Sequence, residues 1–243
     1  MKRVQEITAI ALFAALSAVL QLSPLKIVTQ WGMKIDLVAV PVLIAFFLFG
    51  FRVALETSIV MFLVISVVSP TGLIGATMKW MATVPMFIVP TVMAIKIKER
   101  KGTMLLGSFI SMIALIALFG SLFILLNNKE MVSHLLVAVS CIVFYLGFWI
   151  LSKDYNLKKS KAFKRFSFVI TTLFLALIVR GVVTTVINYY FAIPLFFGMP
   201  TETAIERIPW YVIIGLNAVQ GAIDIGGAWY ISFKTGVSTF LRR

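Results

Sequence analysis

Residues 180–198 read RGVVTTVINYYFAIPLFFG. The first half of this stretch continues an apolar run that opens near Phe166, and its end is marked by Pro194 and Gly198. Eighteen or more apolar residues in a row are enough for a helix to cross a bilayer. Asn188, Tyr189 and Tyr190 form a polar and aromatic cluster where such a helix would meet the outer surface. Arg180 lies deeper in the same run. A passive span has no need of an arginine there, and a polar residue held in hydrocarbon is costly enough to point to function.

The rest of the chain has the same character. Of its 243 residues, 61% are hydrophobic and 13% are charged, against about 25% charged in soluble domains. Apolar runs recur from end to end, and the ten-residue alternation of a membrane barrel is absent. This pattern predicts an all-α, polytopic membrane helix bundle. No polar segment is long enough to fold alone, so a single transmembrane domain over residues 1–243 is expected. Met-Lys-Arg followed by an apolar stretch resembles a signal-peptide start. The expectation is instead an uncleaved first span, because the downstream sequence is equally apolar.

Eight spans are predicted, at about 7–22, 36–50, 53–69, 73–95, 103–126, 132–151, 166–190 and 210–233. The loop 23–35 follows the first, and Ser69-Pro70-Thr71-Gly72 breaks the chain after the third. With the N-terminus in the cytoplasm, sixteen Lys and Arg fall on the inner side. Four fall outside (Lys26, Lys34, Lys129 and Arg207), and Lys79 and Arg180 lie within spans. This positive-inside bias predicts a multi-pass protein of the cell membrane with both termini cytoplasmic. It also accounts for the net charge of +13 without nucleic acid. A single cysteine, Cys141, permits no intrachain disulfide, and a single histidine, His134, permits no multi-histidine metal site. No metal site or cofactor is expected. No nucleotide-binding Gly-rich loop occurs, so any ATP-driven work would need another chain.

The intramembrane polar residues are the candidates for function. Glu56 lies near the inner surface, where it can snorkel or cap a helix. Arg180 and Asp224 sit near mid-membrane, and a structural ion pair would explain them. Asn217, Gln220, Gly221 and Asp224 recur at helical spacing and share one face of the last span. Asn188, Asn217, Lys79 and Trp80 lie at similar depth on three spans. Apolar walls with a few placed polar groups suit a small-molecule pocket, and Trp80, Tyr189 and Tyr190 would suit a planar ring. An interfacial aromatic belt with interhelical hydrogen bonds explains the tyrosines equally well, but the Asn217/Gln220 stripe less so. Loop 23–35 could cover such a pocket. In the first span, Ala11/Ala15 and Ala14/Ala18 are paired at the spacing that lets helix backbones approach closely. Such a stripe serves internal packing or docks another membrane subunit.

These features together resemble the substrate-binding S component of an energy-coupling factor (ECF) transporter, above all its riboflavin-specific members. The resemblance runs through ALFAALSAV at 11–19, Asp36-Leu-Val-Ala-Val-Pro41 and Gly75-Ala-Thr-Met-Lys79-Trp80. It continues through Asn188-Tyr189-Tyr190, Pro194-Leu-Phe and Asn217-x-x-Gln220-Gly221, and covers roughly residues 5–100 and 165–240. It implies a six-helix core and riboflavin or a related planar vitamin captured from outside, with no chemical step. Lys79, Trp80, Asn188, Tyr189, Asn217 and Gln220 would bind the ligand. A transmembrane coupling subunit, driven by ATPase subunits, would dock on Ala11, Ala14, Ala15 and Ala18. Residues 103–152 then read as a two-helix hairpin inserted into that core. Gln220 stands where the riboflavin pattern has Lys, Phe196 or Phe197 near its Tyr, and Phe51 where Pro is usual. These departures favour, as an alternative, another vitamin or a precursor. A membrane-embedded enzyme would need a nucleophile or metal constellation, which His134, Cys141 and Asp224 do not form. An assembly protein would use the alanine face without a ligand.

Overall fold

A computed structural model describes residues 3–96 and 166–235, together with 237. The fifth and sixth expected spans, the inserted hairpin and the basic segments beside it lie outside the described residues. The chain divides into two compact units, residues 1–89 with 176–243 and residues 90–175.

The described residues are mostly helical. Their helices are α1 (Arg3–Leu22), α2 (Val40–Phe49), α3 (Phe51–Val68), α4 (Gly72–Thr83) and α5 (Pro85–Lys96). These are followed by α6 (Phe166–Ile187), a π-helical turn (Asn188–Ala192), α7 (Ile193–Phe197), α8 (Thr201–Arg207) and α9 (Trp210–Phe233). Among the described residues, five stretches are long and apolar enough to cross a membrane: Arg3–Leu22, Phe51–Val68, Gly72–Met93, Phe168–Phe197 and Trp210–Phe233. The expected second span, Asp36–Gly50, is shorter than predicted. Its helix, α2, has 10 residues, roughly 15 Å at 1.5 Å per residue. Asp36 ends a short strand, and the three residues between it and the helix are spent on a turn. Asp36 Oδ1 accepts the Val38 N–H at 3.1 Å, an Asp side chain competing with helix for the backbone.

Helix α2 is the core of the first unit. Residues 40–47 are all buried, as expected of a helix that is apolar on every side. It packs against α1, α3 and α9. Phe46 meets Phe87 with ring centroids 6.3 Å apart, and Phe47 meets Phe233 edge-on at 5.6 Å. Helix α1 packs mainly on α3, and α3 on α4. Ala14 is buried in this packing, Ala18 is half-buried, and Ala11 and Ala15 are exposed. The alanine stripe thus serves internal contact at one edge and leaves the other bare. Glu56 forms an exposed i,i+4 ion pair with Arg52 at 2.8 Å, which is worth little.

Three boundaries differ from expectation for local reasons. The loop 23–35 holds a hairpin of β1 (Lys26–Val28) and β2 (Lys34–Asp36), antiparallel with Lys26 opposite Asp36. The fourth span is two helices, because Pro85 has no N–H to continue the ladder of α4. The seventh continues beyond Tyr190. The i+5 bond from Ile193 N–H to Asn188 C=O widens the turn ahead of Pro194, and helix persists to Phe197.

A single residue, Gly50, joins α2 to α3 with φ 95° and ψ −175°. Only glycine adopts this region at low cost. A Cβ there would meet no atom within 4 Å, so the backbone alone is at stake. Gly50→Ala is expected to destabilise the purified protein by roughly 1–3 kcal/mol, read as a lower thermal unfolding midpoint in detergent. An unchanged midpoint would show that the α2–α3 corner does not hold this conformation.

Candidate ligand-binding site

The first unit holds a partly open cavity of about 350 Å³. Its walls come from the end of α1, the hairpin, α4, α6 with its π turn, α7 and α9. This volume falls within the range of small-molecule sites. The hairpin contributes residues 31–36, and α7 contributes Phe196 and Phe197. The two approach at the hairpin tip, where a Cβ on Gly32 would lie 3.4 Å from the Phe197 ring.

A chain of polar side chains runs along the α4–α9–α6 wall. Lys79 Nζ pairs with Asp36 Oδ2. The Asp36 N–H donates to Gln220 Oε1 at 2.9 Å, and Gln220 Nε2 donates to the Asp36 C=O at 2.5 Å. Gln220 Nε2 also donates to Asp224 Oδ1 at 2.8 Å. Asp224 Oδ2 accepts from Arg180 at 2.9 Å, and Arg180 Nε donates to Asn217 Oδ1 at 3.3 Å. Asp224 is fully buried and the Arg180 side chain is 5% exposed. Two cations and two anions therefore balance within the wall. Buried charges persist only when paired and hydrogen-bonded, and this wall meets both conditions. Gly221 makes the approach of α6 to α9 possible. A Cβ there would collide with Leu177 and lie 3.4 Å from Arg180 Cδ.

Of the residues singled out from sequence, Lys79, Asn188, Asn217 and Gln220 line the cavity together. Asn188 Nδ2 is bonded back to the Thr184 C=O at 2.7 Å, and Asn217 Nδ2 to the Ile213 C=O at 2.9 Å. Trp80 and Tyr189 are not brought to the cavity. Trp80 faces α3, with Nε1 on Ser58 Oγ at 3.2 Å and its ring 5.8 Å from that of Phe62. Tyr189 is buried in a cluster with Ile193, Ala204, Ile208 and Ile213, and its hydroxyl donates to the Ile208 C=O at 2.5 Å. Their placement has a simple cause. Each ring belongs to a residue next to a cavity-lining one, and neighbours on a helix point about 100° apart. The aromatic surface at the cavity comes instead from Trp31, Phe196 and Phe197.

Asp36 is the site residue that the sequence reading passed over. It stands at a predicted span boundary, where an acid looks ordinary. The signal for it was Lys79, an intramembrane cation for which no partner had been assigned. Among the described residues, no cluster of three or more His, Cys, Asp or Glu is arranged to hold a metal ion.

Breaking the Arg180–Asp224 pair from one side leaves a buried charge alone. Arg180→Met is therefore expected to cost roughly 3–5 kcal/mol, and Arg180→Met with Asp224→Leu distinctly less. Thermal unfolding of the single and double variants in detergent tests this. A double variant that loses as much as Arg180→Met and Asp224→Leu added together would mean that the pair is not coupled. Comparison of the chain with protein-family models, with curated proteins and with solved structures gave no match.

Proposed function

We propose that this chain is the substrate-capture subunit of an ATP-driven, ECF-type vitamin transporter, with riboflavin or a related planar vitamin as its ligand. The supporting observation is the cavity itself. It is covered by a hairpin, walled in part by aromatic side chains, and lined by a charge-balanced set of polar groups from the hairpin, α4, α6 and α9. A site of this composition suits an uncharged, largely flat molecule with polar edges. Trp31, Phe196 and Phe197 would supply ring contacts. Asn188, Asn217 and Lys79 would answer the polar edge.

In this reading eight spans place both termini in the cytoplasm, and the ligand enters from outside beneath the hairpin. The exposed Ala11–Ala15 edge of α1 receives the coupling subunit. ATPase subunits drive release inward, and no covalent bond is made or broken. A second reading keeps this architecture and changes the vitamin. It is favoured by Gln220, whose amide is already engaged with the Asp36 backbone and Asp224 where the riboflavin pattern has a lysine.

Riboflavin binding to the detergent-purified protein, followed by quenching of flavin fluorescence, tests the proposal. Saturable binding at nanomolar to low micromolar concentration is expected. Asn188→Ala with Asn217→Ala should weaken it about tenfold or more, as loss of one or two hydrogen bonds implies. Trp80→Phe should leave affinity within about twofold, since the indole faces α3 and each tenfold step needs about 1.4 kcal/mol. Saturable binding untouched by the double asparagine variant would remove this cavity as the site. Absence of binding would shift the ligand to another vitamin, identifiable by mass spectrometry of what copurifies.

A further inference from the structure

Among the described residues, five charged side chains line the cavity: Lys34, Asp36, Lys79, Arg180 and Asp224. They are not equally open to it. Lys34 is exposed, where water screens its charge. Arg180 and Asp224 answer each other, with side chains 5% and 0% exposed. Lys79 has the most surface of the paired charges, at 21%, and Asp36 is its only partner among the described residues. An ammonium has three protons to donate, so Asp36 meets one and two remain.

The Asp36 carboxylate is fixed against Lys79 from three sides. Its Oδ1 accepts the Val38 N–H at 3.1 Å, and Gln220 holds both the N–H and the C=O of Asp36. Oδ2 is left for Lys79. A charged guest at this wall must therefore displace a partner that is tied in place. An anion that draws Lys79 to itself leaves the buried Asp36 carboxylate without its counter-ion. A cation drawn to Asp36 does the same to Lys79. A buried charge stripped of its partner is among the costliest groups a protein can hold. A neutral guest can accept the spare Lys79 protons with the pair intact.

We propose that Asp36 sets the charge selectivity of this cavity. By neutralising Lys79 in place, it admits uncharged molecules and turns away those that bring a carboxylate or a phosphate to this wall. Asp36 is thus a positioning residue that acts through Lys79. The proposal rests on the capture reading above and narrows it to ligands without charge.

The test compares riboflavin with riboflavin 5′-phosphate, the same molecule bearing an anion, on the full-length protein in detergent. Wild type should prefer riboflavin by about tenfold or more. Asp36→Asn keeps an acceptor for the Val38 N–H and leaves the backbone to Gln220, so it removes the charge alone. It should narrow the preference by about tenfold or more, which is the scale of a unit charge a few Å away in a poorly screened site. Asp36→Asn with Lys79→Met should restore the preference, whatever the two changes do to affinity itself. A purely structural role for Asp36 would weaken both ligands alike and leave their ratio unmoved. A ratio within twofold of wild type in Asp36→Asn would overturn the proposal and leave the capture reading standing. So would equal affinities for the two flavins in wild type, a comparison that needs no variant to fold. If wild type binds neither flavin, the capture reading for flavins falls, and sodium formate decides the proposal. Formate can stand in for the missing carboxylate. It should raise the thermal unfolding midpoint of Asp36→Asn by several degrees over sodium chloride of equal ionic strength, with no such rise in wild type or the double variant. No rise in Asp36→Asn, or an equal rise in wild type, would end the proposal.

Discussion

The cavity wall depends on the clamp between Gln220 and the backbone of Asp36. One side-chain amide accepts the Asp36 N–H and donates to the Asp36 C=O, much as a neighbouring strand would. This satisfies the exposed edge of a two-stranded hairpin, which would otherwise present unpaired backbone groups to an apolar interior. The clamp also places the Asp36 carboxylate on Lys79, and the spare Gln220 proton on Asp224. Arg180 closes the chain on the far side of Asp224. A lysine at position 220 could not do this, because it donates and cannot accept. The amide at position 220 therefore has a structural explanation in this chain: the position roots the hairpin.

Neutrality follows from the same arrangement. A lone arginine or lysine within a span is among the most expensive groups a membrane helix can carry. Here Lys79 and Arg180 each meet an acid contributed by a different element, Asp36 from the hairpin and Asp224 from α9. The polar groups at the cavity are thus held in place by pairings internal to the protein. A preorganised wall of this kind asks little rearrangement of the protein when an uncharged guest binds.

How much of this was legible in the sequence depended on the kind of signal. Hydropathy marked the long helices, and helical spacing put Asn217, Gln220 and Asp224 on one face. The Arg180–Asp224 pair followed from two charges at similar depth. The hairpin inside 23–35 left no comparable trace, since strands of three residues are too short for alternation to register. Nor did the π turn. Arg180, Thr184, Asn188 and Ala192 all line the cavity, although a spacing of four overshoots a turn of about 3.6 residues and should drift off the face. The wider turn at 188–192 undershoots and resets the row, so that Ile193, Phe196 and Phe197 also reach the cavity. A reading with fixed helical period ended the span at Tyr190 and looked for the aromatic surface on Tyr189.

The two ends of the hairpin are held by different physics. At its root, Asp36 is tied by an ion pair and by both of its backbone groups. Releasing it would leave Lys79 without its acid and Gln220 without its backbone partners. At its tip, Trp31 and Met33 pack on the apolar cluster around Tyr189 and Ile208. Apolar contacts of this sort cost about 25 cal/mol for each Å² exposed, and no charge is uncovered when they part. Lifting the tip away from Phe197 would therefore cost less than releasing the root. The polar wall is tied to the root and not to the tip, so it would stay intact if the tip moved.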